Sequence, residues 1–140
     1  DLDALFGELV PDVALVRDQS GNEYDPIAGT DEIGYWEEGK AYAVYATSTT
    51  ALRIAGIAID PDARSIDLEA GWNWVPYFGP ARMPVTQALA SVQDHLVIVK
   101  DGQGRVYYPE LDIEDLVDMV PGEGYKIFVN TATTLTYPSP

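Results

Sequence analysis

At 140 residues, with 46% hydrophobic and 11% aromatic content, the chain is long enough to bury a core and lacks the low hydrophobicity of disordered sequences. Its 23 acidic against 8 basic residues give a net charge of −15, a field that repels nucleic-acid phosphates and anionic membrane surfaces. The absence of cysteine removes disulfides, thiolate metal sites and cysteine nucleophiles, and no apolar run approaches the ~20 residues of a membrane span.

Leu2, Leu5, Phe6 and Leu9 follow the i, i+3, i+4, i+7 spacing of an amphipathic helix. Val13 to Asp18 reads as a strand entering the turn Asp18-Gln-Ser-Gly-Asn22, in which Asp opens the turn and Gly supplies the positive φ that leads into a return strand ending at Tyr24. After Pro26 comes an irregular segment interrupted by Gly34, then the turn Glu38-Gly39-Lys40. A strand follows, with Tyr42, Val44 and Ala46 alternating with Ala41, Ala43 and Tyr45. Leu52 to Ile59 reads as a further strand, and the loop Asp60-Pro-Asp-Ala-Arg64 leads to Ile66 and Leu68 alternating with Asp67 and Glu69.

Gly71-Trp-Asn-Trp-Val-Pro-Tyr-Phe78 continues as a strand, which places Trp72, Trp74 and Phe78 on one side and Val75 and Tyr77 on the other. Pro84 stands where a first-turn proline belongs, ahead of a helix carrying Val85, Ala88, Leu89 and Val92. Leu96 to Asp101 is a strand entering the turn Asp101-Gly-Gln-Gly-Arg105 and a return strand ending at Tyr107. Ile113, Leu116, Val117 and Val120 have the spacing of one or two amphipathic helical turns. Past Pro121-Gly122-Glu123-Gly124, Tyr125, Ile127 and Val129 alternate with Lys126, Phe128 and Asn130, the face that should look at water.

An offset of 83 lays residues 16 to 52 on 99 to 135 without a gap. The identities are Val16/Val99, Asp18/Asp101, Gly21/Gly104, Tyr24/Tyr107, Pro26/Pro109, Gly39/Gly122, Tyr42/Tyr125, Thr50/Thr133 and Leu52/Leu135. Nine matches in 37 positions, against about two expected from average usage, indicate duplication. The reading is one α+β, sheet-dominated domain over 1–140, built of two pseudo-repeats, about 1–56 and about 57–140. Each has a short helix, a β-hairpin, an irregular segment and a strand pair. The first is incomplete at its start, because the counterpart of Gly71 to Phe78 falls before residue 1; either an upstream segment was removed from a longer precursor or the units share the central sheet.

The succession Ile-Asp-Leu-Glu-Ala-Gly-Trp-Asn (66 to 73), Met-Pro-Val (83 to 85), Leu-Val-Ile-Val-Lys-Asp (96 to 101), Val-Tyr-Tyr-Pro (106 to 109), Pro-Gly-Glu-Gly-Tyr (121 to 125) and Thr-Thr-Leu-Thr-Tyr-Pro (133 to 138) resembles the Gly-Trp-Asn and Pro-Gly-x-Gly-Tyr repeat segments of large secreted and surface proteins of Bacteroidetes-type bacteria. The resemblance implies export to the medium or cell surface, excision from a longer precursor and a non-catalytic place beside other domains. It transfers no catalytic residue. The first copy departs from the pattern, with Glu38 for Pro121 and Ala41 for Gly124.

His95 is the only histidine, so neither a two-histidine metal site nor a histidine relay can be assembled, and no Gly-x-Ser-x-Gly elbow occurs. An enzyme, a hydrolase included, is the least supported reading. Asp31, Glu32, Glu37 and Glu38, with Asp112, Glu114, Asp115 and Asp118, read as solvated acidic loops, and no Asp-x-Asp-x-Asp-Gly loop marks calcium. No cofactor is expected, with calcium as a minor alternative. Aromatics kept in both copies, Tyr24/Tyr107 and Tyr42/Tyr125, are core candidates, whereas Tyr35 and Tyr108 face Asp118 and Asp25 in the other copy and should be exposed.

The ligand-binding set is therefore Trp72, Trp74, Tyr35, Tyr108 and Phe78, with Asn73 to bond hydroxyls. It points to an adhesion or carbohydrate-binding module that takes a polysaccharide or a neighbouring protein domain. The alternative is a ligand-free structural spacer in which the tryptophans are buried.

Overall fold

The computed structural model describes residues 1–54, 56, 57, 60 and 64–139. The chain forms two compact units, Asp1–Ile57 and Ala58–Pro140, each with its own buried cluster. Strand makes up 35% of the described residues and helix 16%, a sheet-dominated α+β fold.

Unit 1 opens with α1 (Leu2–Phe6), whose first turn is closed by the Asp1 carboxylate accepting from Ala4 N at 2.7 Å. A 3-10 turn over Gly7–Asp12 leads to β1 (Val13–Arg17), followed by β2 (Glu23–Asp25), β3 (Thr30–Asp31) and β4 (Ala43–Ala46). These make one antiparallel sheet in the order β3-β2-β1-β4. Its inner side buries Val13, Val16 and Tyr24 with Leu2 and Phe6 of the helical segment, and the Phe6 ring stacks on Tyr24 at 6.0 Å. Trp36 closes the edge of this cluster, packed against Phe6 and 4.2 Å from the Tyr42 ring.

Unit 2 contains β5 (Ile66–Leu68), β6 (Gly71–Pro76), β7 (Met83–Pro84), α2 (Val85–Ala88), β8 (Leu96–Lys100), β9 (Val106–Tyr108), β10 (Ile113–Glu114), β11 (Asp118–Met119), β12 (Gly124–Val129) and β13 (Thr133–Leu135). The main sheet has the order β10-β9-β8-β12-β6, and the ribbons β11-β7 and β13-β5 complete the unit. Val75, Val99, Tyr125, Ile127 and Val129 line the inner side of the main sheet, packed with Leu89, Val92, Leu116, Met119, Leu135 and Tyr137.

The 83-residue offset is written into the backbone. Adding it to the bounds of β1, β2 and β3 gives those of β8, β9 and β10, and β4 maps onto the second half of β12. Asp18 N donates to Asn22 O and Asp101 N to Arg105 O, both at 3.1 Å. Tyr42 Oη accepts from Glu37 N as Tyr125 Oη accepts from Val120 N. The same register shift recurs between Val13 and Leu15 and between Leu96 and Ile98. Gly29, at φ 71°, corresponds to Asp112 at φ 54°, the only non-glycine with positive φ among the described residues; aspartate tolerates this left-handed conformation better than most side chains.

Two expected elements are absent. No strand forms over Leu52–Ile54, Gly56 or Ile57, while Ala55, Ala58 and Ile59, like Pro61 to Ala63 of the following loop, lie outside the described residues. Of this stretch only Leu52 matches a strand residue of unit 2, Leu135, which is paired with Ile66 of β5; among the described residues no strand pairs with Leu52. Nor does the segment 113–120 form helical turns. Its backbone groups are committed elsewhere, with β10 on β9, β11 on β7, Leu116 N donating to Val106 O and Val117 O accepting from Val85 N. The apolar spacing reflects Leu116 and Met119 pointing inward, with Ile113 and Val117 outward.

Burial raises four tyrosines above their ordinary range, Tyr77 among them. Tyr24 is pushed up to about 12 by burial and by the Asp3 carboxylate that its hydroxyl donates to at 2.6 Å. Tyr125 is also pushed up to about 12, by burial first, with the Glu123 carboxylate adding to it against the lowering hydrogen bond from Val120 N, and burial raises Tyr137 as well. A phenol held neutral in the fold contributes stability below its unfolded value near 10, and loses it as pH rises through its folded value. Alkaline titration followed by phenolate absorbance is therefore expected to find Tyr24 and Tyr125 ionising near pH 12. Tyr24→Phe and Tyr125→Phe should each delete one late step.

Candidate functional site

The site begins with the alternation of β6. Trp72 is 42% exposed and Trp74 half-buried on the outer face, while Asn73 and Val75 point inward. Register carries that face across the sheet. Trp72 is opposite Phe128, and Phe128 is opposite Ile98; Tyr108, one residue past the Val99–Tyr107 pair, is on the same face and opposite Ile113. Each of the five strands thus puts an apolar side chain on this face.

The adjacent row runs Trp74, Lys126, Lys100 and Val106. Two of the three lysines of the chain therefore stand side by side on this face, and none of its strand positions carries an acid. Lys126 Nζ lies 4.2 Å from the centre of the Trp74 ring and Lys100 Nζ 5.3 Å from that of Trp72. Each contact is worth about 0.5–1 kcal/mol at a solvated surface. Phe128 meets Trp72 edge-on, with centroids 5.4 Å apart.

The expected binding residues are only partly brought together. Trp72, Trp74 and Tyr108 share this face. Tyr35, 70% exposed, belongs to unit 1 and is not carried by this sheet. Phe78 lies beyond the end of β6, where strict alternation no longer applies, and its ring packs edge-on against Tyr137 in the core cluster. Asn73, 6% exposed, is consumed by the β5–β6 turn: Oδ1 accepts from Glu69 N at 3.0 Å, and Nδ2 donates to Glu69 O at 2.8 Å and Gly71 O at 3.1 Å. It is a turn-closing residue rather than a hydroxyl ligand.

Lys100, Lys126, Phe128 and Ile98 were missing from the expected set. Their signal was present strand by strand in the repeat, since Lys126 falls two residues from Phe128 and Lys100 two from Ile98. What placed them beside the tryptophans is pairing register, which single-strand periodicity does not contain.

The acids largely close turns. Asp25 Oδ1 accepts from Ile27 N and Ala28 N, Asp31 Oδ1 from Ile33 N and Gly34 N, and Asp18 and Asp101 cap their hairpins. Among the described residues no three acids or histidines form a cluster able to hold a metal ion. His95 uses its backbone, its carbonyl accepting from Asn130 N at 2.9 Å as the matching Asp12 carbonyl accepts from Thr47 N at 2.8 Å. No helix among the described residues is long and apolar enough to cross a membrane.

Comparison with protein-family models, with curated proteins and with solved structures finds no match to this chain.

Proposed function

We propose that the chain is a non-catalytic accessory module of an exported or cell-surface protein, binding an extended polysaccharide through the outer face of the unit 2 sheet. One observation carries this reading: one face of the sheet takes an apolar side chain from each of five strands, carries no acid at its strand positions and holds two lysines, in a chain whose net charge is −15. A flat face with rigid aromatics suits sugar C–H faces and loses little side-chain entropy on binding. The paired lysines offset the net negative charge locally, so that among polymers bearing carboxylates or sulfates contact is favoured at this face. The resemblance to repeat segments of secreted proteins supports an accessory role.

A second reading, a ligand-free spacer, is favoured by one observation. Lysine ammonium groups lie over both indoles, and Phe128 meets Trp72 edge-on, so the face already satisfies much of its own surface.

Affinity electrophoresis of the full chain through gels holding neutral or acidic polysaccharides separates the two. Retardation is expected in the acidic gels and should weaken with salt. Trp72→Ala should reduce affinity about tenfold or more, as loss of an aromatic anchor does, with the melting temperature nearly unchanged. Wild-type protein that migrates alike in all gels would refute the binding reading and leave the spacer.

A further inference from the structure

The duplication sets two versions of one sheet face side by side. At the offset of 83, unit 1 has Arg17 and Ala43 where unit 2 has Lys100 and Lys126, and Glu23 where unit 2 has Val106. Arg17 stands opposite Glu23 and forms an ion pair with it, so the basic group of that face is neutralised within the sheet. Opposite Lys100 is Val106, which leaves the ammonium without such a neighbour. Arg17, Lys40, Arg82 and Arg105 are held in ion pairs, whereas among the described residues Lys100 and Lys126 have no carboxylate partner. The two lysines also stand directly opposite each other on β8 and β12, a like-charge arrangement that is unfavourable until an anion bridges it.

The ammonium groups rest on the indoles instead, Lys126 Nζ 4.2 Å from the Trp74 ring centre and Lys100 Nζ 5.3 Å from that of Trp72. A sugar ring stacked on either of these indole faces takes the position the ammonium now holds. A neutral sugar displaces the cation and offers it no charge in return. A sugar with a carboxylate on its ring covers the indole with C–H groups and receives the displaced ammonium as an ion-pair partner.

We propose that Lys100 and Lys126 are the specificity-determining residues of the unit 2 face: they screen Trp72 and Trp74 from neutral sugars and yield them to a polymer of uronic acids, whose carboxylates take up both ammonium groups. This selection rests on the polysaccharide-binding reading and adds to it the substrate class and the residues that choose it. A uronate carries its charge on a ring carbon, so one residue joins a stacking face to an anion at the short separation that joins indole to ammonium here. A sulfate ester holds its charge one bridging oxygen farther out. The unit 1 face, with Ala43 for Lys126 and Arg17 already paired, has no such selector.

The test is affinity electrophoresis of the full chain against polygalacturonate, its methyl ester, which keeps the backbone and lacks the charge, and dextran sulfate. Wild-type protein is expected to bind polygalacturonate about tenfold or more tightly than the ester. The double variant Lys100→Gln/Lys126→Gln should bind the acid more weakly and the ester more tightly, because uncharged side chains give up the indoles without loss of a cation–π contact. Val106→Glu, which gives Lys100 the cross-strand carboxylate that Arg17 has, should weaken binding of polygalacturonate; both variants alter only the outer face and should melt near the wild type. Equal wild-type binding of acid and ester, or an ester affinity that does not rise in the double variant, overturns the proposal and leaves polysaccharide binding standing. Dextran sulfate bound as tightly as polygalacturonate overturns the uronate assignment, since charge alone would then be the selector. No binding of any of the three removes the binding reading together with the proposal.

Discussion

Ile127→Ala is expected to destabilise unit 2 by about 2–5 kcal/mol, whereas the matched change Val44→Ala in unit 1 should cost well under half as much. Ile127 is fully buried at the centre of β12, between Val99 of β8 and Asn73 of β6, and shrinking it leaves a cavity that flanking strands on both sides cannot collapse. Val44 occupies the equivalent place, but it is 42% exposed on an edge strand, so truncation there removes less apolar contact and encloses no void. Denaturant unfolding of the full chain, resolved by amide exchange in β12 and β4, measures both. Equal losses would mean that the difference in burial between the two positions does not set the cost of truncation.

The contrast between these two positions also marks what could be read from the residues alone. The offset, the Asp-opened turns at Asp18 and Asp101, the strands they join and the inward Tyr24 and Tyr125 were legible, because turn chemistry and alternation are local. Long-range pairing was not. The Leu52–Ile59 stretch has strand character, but its described residues pair with no strand, and the segment 113–120 has helical spacing but backbone groups spoken for by β7, β9 and Val85. For the site, alternation along β6 assigned Trp72 and Trp74 to one face and failed at Phe78, past the last paired residue. The lysines beside the tryptophans emerged only from the β6-β12-β8 register.

The remaining large effect concerns the one buried carboxylate among the described residues. Asp101 is 8% exposed, and its two oxygens receive three donors: Gln103 N at 3.0 Å and Arg105 N at 2.8 Å on Oδ1, and Arg105 Nε at 2.6 Å on Oδ2. Burial alone would raise its pKa, but the hydrogen bonds from the Arg105 side chain and from the two backbone amides outweigh it and hold the carboxyl below its usual range. A depressed carboxyl contributes stability above its unfolded pKa of about 3.9 and loses it as pH falls through the lower folded value. Asp101→Asn is therefore expected to cost about 2–3 kcal/mol at neutral pH, because the charge-assisted bonds go and one amide proton opposes the donor Arg105. The cost should begin to shrink below pH ~4, where the unfolded carboxyl takes up its proton, and fade as pH falls through the lower folded value. Asp18 is the internal control. It caps the matching turn through Asn22, whose backbone and side-chain amides donate at 2.9 and 2.8 Å, so no ion pair is at stake and Asp18→Asn should lose less. Chemical denaturation from pH 3 to 7 checks both, and a loss at Asp101→Asn that does not vary with pH would show that turn geometry rather than the carboxylate charge stabilises this hairpin.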